Sequence, residues 1–277
     1  MKTLKRILVL IFIGGVIFLN GCDNVNGYHD YTPPSPPKNV YSVTGDNRID
    51  IFWDYNTESD VAGYNIYYSY TYDGKYTLIG STVNNSFIDN GAKNGVTYYY
   101  AVTAYDYDGN ESDLSKDEVY DTPRPEGLNQ AVFDYLRFPN NAGYDFSQYL
   151  VLPYNDKSAD FFFENYNGQF FINVWDDSDI QDMGPTRDIW DISYAPTSGW
   201  IPLKQGENVK YVPAIVGHTY VIWTWDNHYA KVRISNITNE RMVFDWAYQT
   251  VEANRELKSG KTSEVRKSIP VKVEKKY

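Results

Sequence analysis

Asp177, Asp179 and Asp182 are the carboxylates best placed in sequence to hold a hard cation, since calcium draws its oxygens from short acidic loops and backbone carbonyls. The spacing departs from an EF-hand, because the glycine of that loop would fall where Asp182 stands. Aromatic rings offer a second chemistry. Trp200, Trp223, Trp225 and Tyr229 combine large apolar faces with a polar tip, which suits the face of a sugar ring or a protein surface. Tyr67, Tyr99 and Tyr105 alternate with apolar neighbours and so point away from a core, as a row on adjacent strands. Bond-making chemistry finds no foothold: the chain contains no Gly-x-Ser-x-Gly elbow, no His-Glu-x-x-His pair and no phosphate-cradling glycine loop. Acidic residues are plentiful, and a carboxylate pair for glycoside hydrolysis stays open, since its defining distance is not written in the sequence. The expectation is a binding protein and not an enzyme, with no cofactor apart from calcium at the three aspartates.

Cys22 is the single cysteine, which excludes an intramolecular disulfide. Before it stand a basic start, Met1-Lys2-Thr3-Leu4-Lys5-Arg6, and an apolar run from Ile7 to Leu19, the pattern of a secretory signal. The run is shorter than the roughly 20 apolar residues of a membrane-spanning helix. The ending Leu19-Asn20-Gly21-Cys22 resembles the lipobox of bacterial lipoproteins. That resemblance implies that residues 1–21 are removed and that Cys22 carries the acyl chains, tying the protein to a membrane of the bacterial envelope, with the outer membrane or cell surface favoured. Two or three chains on one residue meet the two-signal condition for stable anchoring.

The formal net charge is −11 over 277 residues, and loss of Lys2, Lys5 and Arg6 with the leader makes the mature chain more negative still. Such a surface argues against nucleic acid as a partner. Tyr 27, Trp 7 and an aromatic share of 17% exceed what a disordered chain carries. With glycine punctuation and little helical periodicity, the composition predicts an all-β protein.

The elements that would position these residues follow in order. Residues 22–37 form a tether, its Pro33-Pro34-Ser35-Pro36-Pro37 extended as a polyproline spacer. From 38 to 122 the pattern alternates: Ile49, Ile51 and Trp53, then Gly63 to Tyr68, then Tyr98 to Ala104, separated by turn signals such as Gly45-Asp46-Asn47 and Asp108-Gly109-Asn110. Short strands at this spacing predict a sandwich. Ile51-x-Trp53, Gly63-Tyr64-x-Ile66-Tyr67 and Gly95-x-Thr97-Tyr98-x-Tyr100-x-Val102-x-Ala104 occur in the order found in fibronectin type III domains, which the segment resembles. The resemblance implies that Trp53 is the core indole and that Tyr98 is a corner tyrosine bonded through its hydroxyl to an upstream carbonyl.

Pro123-Arg124-Pro125-Glu126-Gly127 reads as a boundary. Residues 127–250 then hold short aromatic runs, with Asn167-Gly168 and Asp226-Asn227 as hairpin turns and Met242, Phe244, Trp246 and Tyr248 alternating along one strand. These predict a second antiparallel β-sandwich or half-barrel. Trp223 and Trp225 are expected on one face of a strand. Asp188 to Tyr194 and Thr219 to Val232 resemble segments of the HmuY-like lipoproteins, some of which bind haem through paired histidine or methionine. Of His29, His218 and His228, the last two bracket one strand and stand roughly 30 Å apart at ~3.3 Å per residue, too far to clamp one iron; a haem site would need Met183, Met242 or another histidine. Residues 251–277 turn basic and are expected to be a solvated, disordered tail.

The expected function is therefore a lipid-anchored envelope protein that presents an aromatic β-domain to a saccharide or protein ligand on a fibronectin type III spacer. The competing expectations are a structural or accessory subunit of an envelope assembly, and an HmuY-like haem carrier.

Overall fold

The computed structural model describes residues 29–257 and the two-residue strand Val273–Glu274. The leader, Cys22, the start of the tether and most of the basic tail lie outside the described residues. Among the described residues no helix is long and apolar enough to cross a membrane.

The chain is built from β-strands, as expected. β1 (Tyr41–Gly45), β2 (Arg48–Phe52) and β5 (Ser86–Asp89) form one antiparallel sheet, in the order β1-β2-β5. β3 (Val61–Ser69), β4 (Tyr76–Thr82), β6 (Tyr98–Asp106) and β7 (Val119–Asp121) form the other, in the order β4-β3-β6-β7. Val273–Glu274 pairs in parallel with Tyr76–Thr77 at its edge. Alternation decides which side chains go inside. Ile49, Ile51 and Trp53 meet Tyr64, Ile66, Tyr100 and Val102 between the sheets, each essentially solvent-free. Burial of each such side chain contributes about 1.5–3 kcal/mol, so a single alternating pattern accounts for most of this core. Trp53 is the central indole, edge-on to Tyr64 at 5.3 Å.

The second body is a sandwich of two five-stranded sheets, which resolves the expectation of a sandwich or half-barrel. Its strands are β8 (Glu126–Phe133), β9 (Gly143–Asp145), β10 (Leu150–Leu152), β11 (Phe161–Tyr166), β12 (Gln169–Trp175), β13 (Asp179–Pro185), β14 (Val209–Pro213), β15 (His218–Trp223), β16 (Tyr229–Ile237) and β17 (Arg241–Gln249). One sheet runs β10-β9-β11-β12-β14 and the other β13-β15-β16-β17-β8. Tyr144, Phe146, Phe161 and Phe163 of the first face Tyr220, Phe244 and Trp246 of the second. Met242, Phe244, Trp246 and Tyr248 are all buried, as their alternation predicts. Asn167 and Gly168 turn β11 into β12 with φ of 52° and 84°, both left-handed, the conformation a two-residue hairpin demands.

Several boundaries differ from the sequence reading. Asp188 to Ala195, within the stretch of short aromatic runs, contains a 3-10 turn at Ile189–Asp191, with the Trp190 N–H donating to the Asp188 side chain at 2.9 Å. Asp179–Pro185, read as an acidic loop, is a strand because Ile180 fills the core while its neighbours face out. The second sandwich also continues past Thr250: Leu257 is fully buried, and Arg255 and Leu257 exchange backbone hydrogen bonds with Ala195 and Ser193.

The proline-rich segments are docked. Pro34 and Pro37 are buried, the Ser35 N–H donates to Glu58 at 2.9 Å, and Asn56 donates to the Ser35 carbonyl at 2.7 Å. Residues 30–37 thus lie along the first sandwich and do not stand off it. At the boundary, Gly95 N–H donates to the Pro123 carbonyl at 2.9 Å and Tyr248 N–H to that of Pro125 at 3.0 Å, so the linker is fastened on both sides. Arg124 between them is wholly buried. Thr122 donates to Glu256 at 3.4 Å, and the Tyr120 and Tyr194 hydroxyls meet at 3.3 Å across the same junction.

Candidate functional site

β15 and β16 make a hairpin whose last register pair is Trp223 with Tyr229. Even-numbered residues of β15 enter the core, which leaves Val221 and Trp223 on the sheet's outer face beside Tyr229. The Trp223 and Tyr229 rings stack at 5.5 Å with planes 22° apart. A loop anchored by the Ile201 N–H on the Ile180 carbonyl brings in Trp200, 6.0 Å from Trp223 and 6.5 Å from Tyr229. Three of the four rings singled out in the second domain therefore converge. Trp200 and Trp223 are half-buried, while Tyr229 is covered, with Ala195, Val221 and Leu257 beneath. Burial raises the Tyr229 phenol above its ordinary value, so it stays a neutral donor.

The base of this cluster is rigid for an electrostatic reason. Lys231, fully buried on the same face, donates through its Nζ to the carbonyls of Ile192 at 2.9 Å and Leu257 at 2.7 Å. Removal from water drives its pKa well below the lysine range. The contact ties the loop before Trp200 and the chain's later turn to one side chain. Trp223 is in turn oriented by its indole N–H, which donates to Asn227 at 3.0 Å.

Trp225 does not join them. The strand ends at Trp223, Thr224 bonds Asp226 and the His228 backbone in the turn, and Trp225 stands 52% exposed outside the sheet. The expectation that Trp223 and Trp225 share a strand face is corrected: turn geometry replaces the period of two at that point.

The tyrosine row of the first sandwich is likewise not an exposed surface. Tyr67 is fully buried and packs with Tyr76 and Ala101, under Leu78, Tyr99 and Leu114. Its hydroxyl donates to Glu111 at 2.5 Å, an acceptor that also takes Thr103 at 2.6 Å and Asn65 at 3.0 Å. Burial holds that phenol far above its ordinary value. Tyr99 is half-buried, and Tyr105 lies over Gly63, where an added Cβ would come within 2.5 Å of its hydroxyl. The outer face is closed by its own side chains.

Nor do the three aspartates converge. Asp177 is exposed in a turn, Asp179 pairs with Lys210 at 2.8 Å, and Asp182 faces His218 at 3.0 Å while accepting the Gly184 N–H. Once β13 forms, each carboxylate has its own surroundings. Among the described residues the carboxylates that do meet are Asp30, Asp60 and Asp106, with one oxygen from each within 4.8 Å of the others; Asn110 already donates twice to Asp106 at 2.8 Å. His228 lies against Asp226 at 3.3 Å, at the opposite end of β15 from His218, and Met242 is sealed in the core. Met183 packs against the cluster of Ala195, Val221, Tyr229 and Leu257.

Tyr98 is a corner residue with the bond reversed: its hydroxyl accepts the Lys93 N–H at 3.1 Å, where an upstream carbonyl was expected. Sequence reading missed its neighbours Tyr68 and Tyr70. The available signal was the Tyr-x-Tyr spacing that carries the inward set of β3 past its end.

No protein-family model matches the chain. Part of it is 41% identical over 113 residues to an amylopullulanase of Thermoanaerobacterium saccharolyticum, a stretch covering 39% of this chain and 9% of that protein. An amylopullulanase of Thermoanaerobacterium thermosulfurigenes is 42% identical over 92 residues, 32% of this chain and 5% of its own length. The chain thus spans less than a tenth of the length of these relatives. Solved structures similar to it include fibronectin type III domains; a Fn3-like protein from Clostridium thermocellum is 26% identical, covering 35% of this chain and 100% of its own, with a TM-score of 0.30.

Proposed function

We propose that the chain is a lipid-anchored envelope protein that binds a saccharide and performs no catalysis, with the second sandwich carrying recognition. The observation that carries this reading is the cluster of Trp200, Trp223 and Tyr229, two half-exposed indoles on a buried phenol, held in place by Lys231 and Asn227. Pre-set aromatic faces cost little entropy on binding, which is what a weakly held, hydroxylated ligand requires. The relatives lend support, being named amylopullulanases and matching only in a small part, as an accessory segment would. The anchor is Cys22, on the lipobox pattern that precedes it.

Affinity electrophoresis of the full mature chain through gels containing amylopectin, pullulan or a β-glucan tests the binding. Retardation by at least one glucan, relieved in Trp200→Ala/Trp223→Ala, is the expected result; equal mobility of both proteins in every gel overturns it. Intact-mass measurement on the membrane fraction tests the anchor: a chain starting at Cys22 with an acyl adduct is expected, and a free thiol with residues 1–21 attached refutes it.

A further inference from the structure

We infer that the first sandwich holds a separate binding site for a neutral sugar ring, at the rim where its two sheets part between β4 and β5. A cavity of about 540 Å³ opens there, in the range of small-molecule sites, and is lined by Tyr68, Tyr70, Ile79, Asp89, Lys93 and Tyr98.

The cavity arises from strand ends. β3 sends Tyr64, Ile66 and Tyr68 toward the core, and the next inward position, Tyr70, falls just beyond the last strand residue, Ser69. Tyr70 therefore reaches the rim, 60% exposed. Its ring lies 5.3 Å from Tyr68 and 5.5 Å from Tyr98, which are themselves 5.7 Å apart. Tyr98 forms the floor, locked by the Lys93 N–H. The Tyr68 hydroxyl, hydrogen-bonded to Tyr70, is pushed up to about 12, so that ring presents a neutral phenol.

Asp89 faces this group as a fixed acceptor. Tyr100 donates to its Oδ2 at 2.8 Å and the Gly91 N–H to its Oδ1 at 2.8 Å, so both oxygens are held and each keeps a lone pair for a ligand. Lys93 supplies an exposed donor. A pyranose ring carries an apolar C–H face bordered by hydroxyls that donate and accept, and this wall offers ring faces, an acceptor and a donor together. One carboxylate balances one ammonium, so an anionic ligand meets Asp89 and a cationic one meets Lys93; a neutral sugar meets neither penalty.

This site shares with the proposed function only the class of ligand, and calorimetry separates the two. The full mature chain is titrated with maltohexaose, cellohexaose and xylohexaose, alongside Tyr70→Ala, Tyr70→Phe, Asp89→Asn and Trp200→Ala/Trp223→Ala. Tyr70→Ala is expected to weaken one binding event at least about tenfold, or ~1.4 kcal/mol, with Tyr70→Phe near wild type, Asp89→Asn weakened and the tryptophan variant unchanged for that event. Wild-type binding that survives Tyr70→Ala and Asp89→Asn within about twofold overturns this site and leaves the second sandwich's role standing. Absence of heat with all three sugars overturns this site, while the glucan gels decide the other independently.

Discussion

Gly127 lies directly beneath Trp246: the two are register partners across β8 and β17, and a Cβ on residue 127 would stand 2.5 Å from the indole Nε1. The strand that opens the second sandwich can approach its last long strand only because one partner has no side chain. Gly127→Ala must push the indole out of a core it shares with Tyr144 and Phe146. Overpacking of this kind costs about 1–3 kcal/mol, and urea unfolding should show a midpoint reduced accordingly. A midpoint equal to that of the wild type would show that the indole yields freely.

The aromatic cluster should split by burial. Tyr229→Ala removes a ring that is 6% exposed and is expected to cost about 3 kcal/mol, in the range for emptied aromatic sites. Trp225→Ala, at the exposed turn, should stay within about 0.5 kcal/mol. Thermal unfolding of the two variants checks the order, which reverses if Trp225 is a packing residue.

Docking of the proline-rich segment should depend on acid. Glu58 is held down to about 2, chiefly by the Ser35 hydroxyl and then by the Ser35 backbone N–H. A carboxyl depressed in the folded state stabilises above its ordinary value of 4.5 and loses that contribution as pH falls toward about 2. The hydrogen-exchange protection factor of the Ser35 amide is expected to drop across that window. Glu58→Gln should lower protection at neutral pH and remove the dependence.

Asp160 should act with the opposite sign. It is buried, accepts the Phe146 N–H at 2.8 Å, and burial raises its pKa well above 3.8. The native state then binds a proton more tightly than the unfolded chain, so stability declines as pH climbs from 3.8 through the native value. Asp160→Asn keeps an acceptor for Phe146 and removes the charge. Denaturation midpoints taken across this range should fall in the wild type and flatten in the variant.

The sandwich cores were readable from period-two patterning, because a large apolar side chain recurs at every second position in Ile49, Ile51 and Trp53, as in Met242, Phe244, Trp246 and Tyr248, while Asp50 and Asp245 mark the opposite face. Tyrosine blunts the same argument. Tyr67 alternates outward correctly, yet a second layer of side chains on that face buries it, and no local pattern records a contact with Leu114 or Glu111. The aspartates failed for a related reason: Ile180 commits its segment to the core, which turns a charged loop into a strand and separates Asp179 from Asp182. Trp200 could be picked out by type, but its meeting with Trp223 depends on a loop closure that only the folded chain specifies.

The fastened linker sets a ruler. With Pro123 and Pro125 each bonded to a different sandwich and Arg124 sealed between them, the tyrosine rim of one module and the indoles of the other keep a constant interval. If both proposed sites take a sugar, a glycan shorter than that interval touches one module at a time. One long enough to bridge it finds the second contact already in place, so retention on a polysaccharide should rise abruptly at a threshold chain length instead of growing evenly with it.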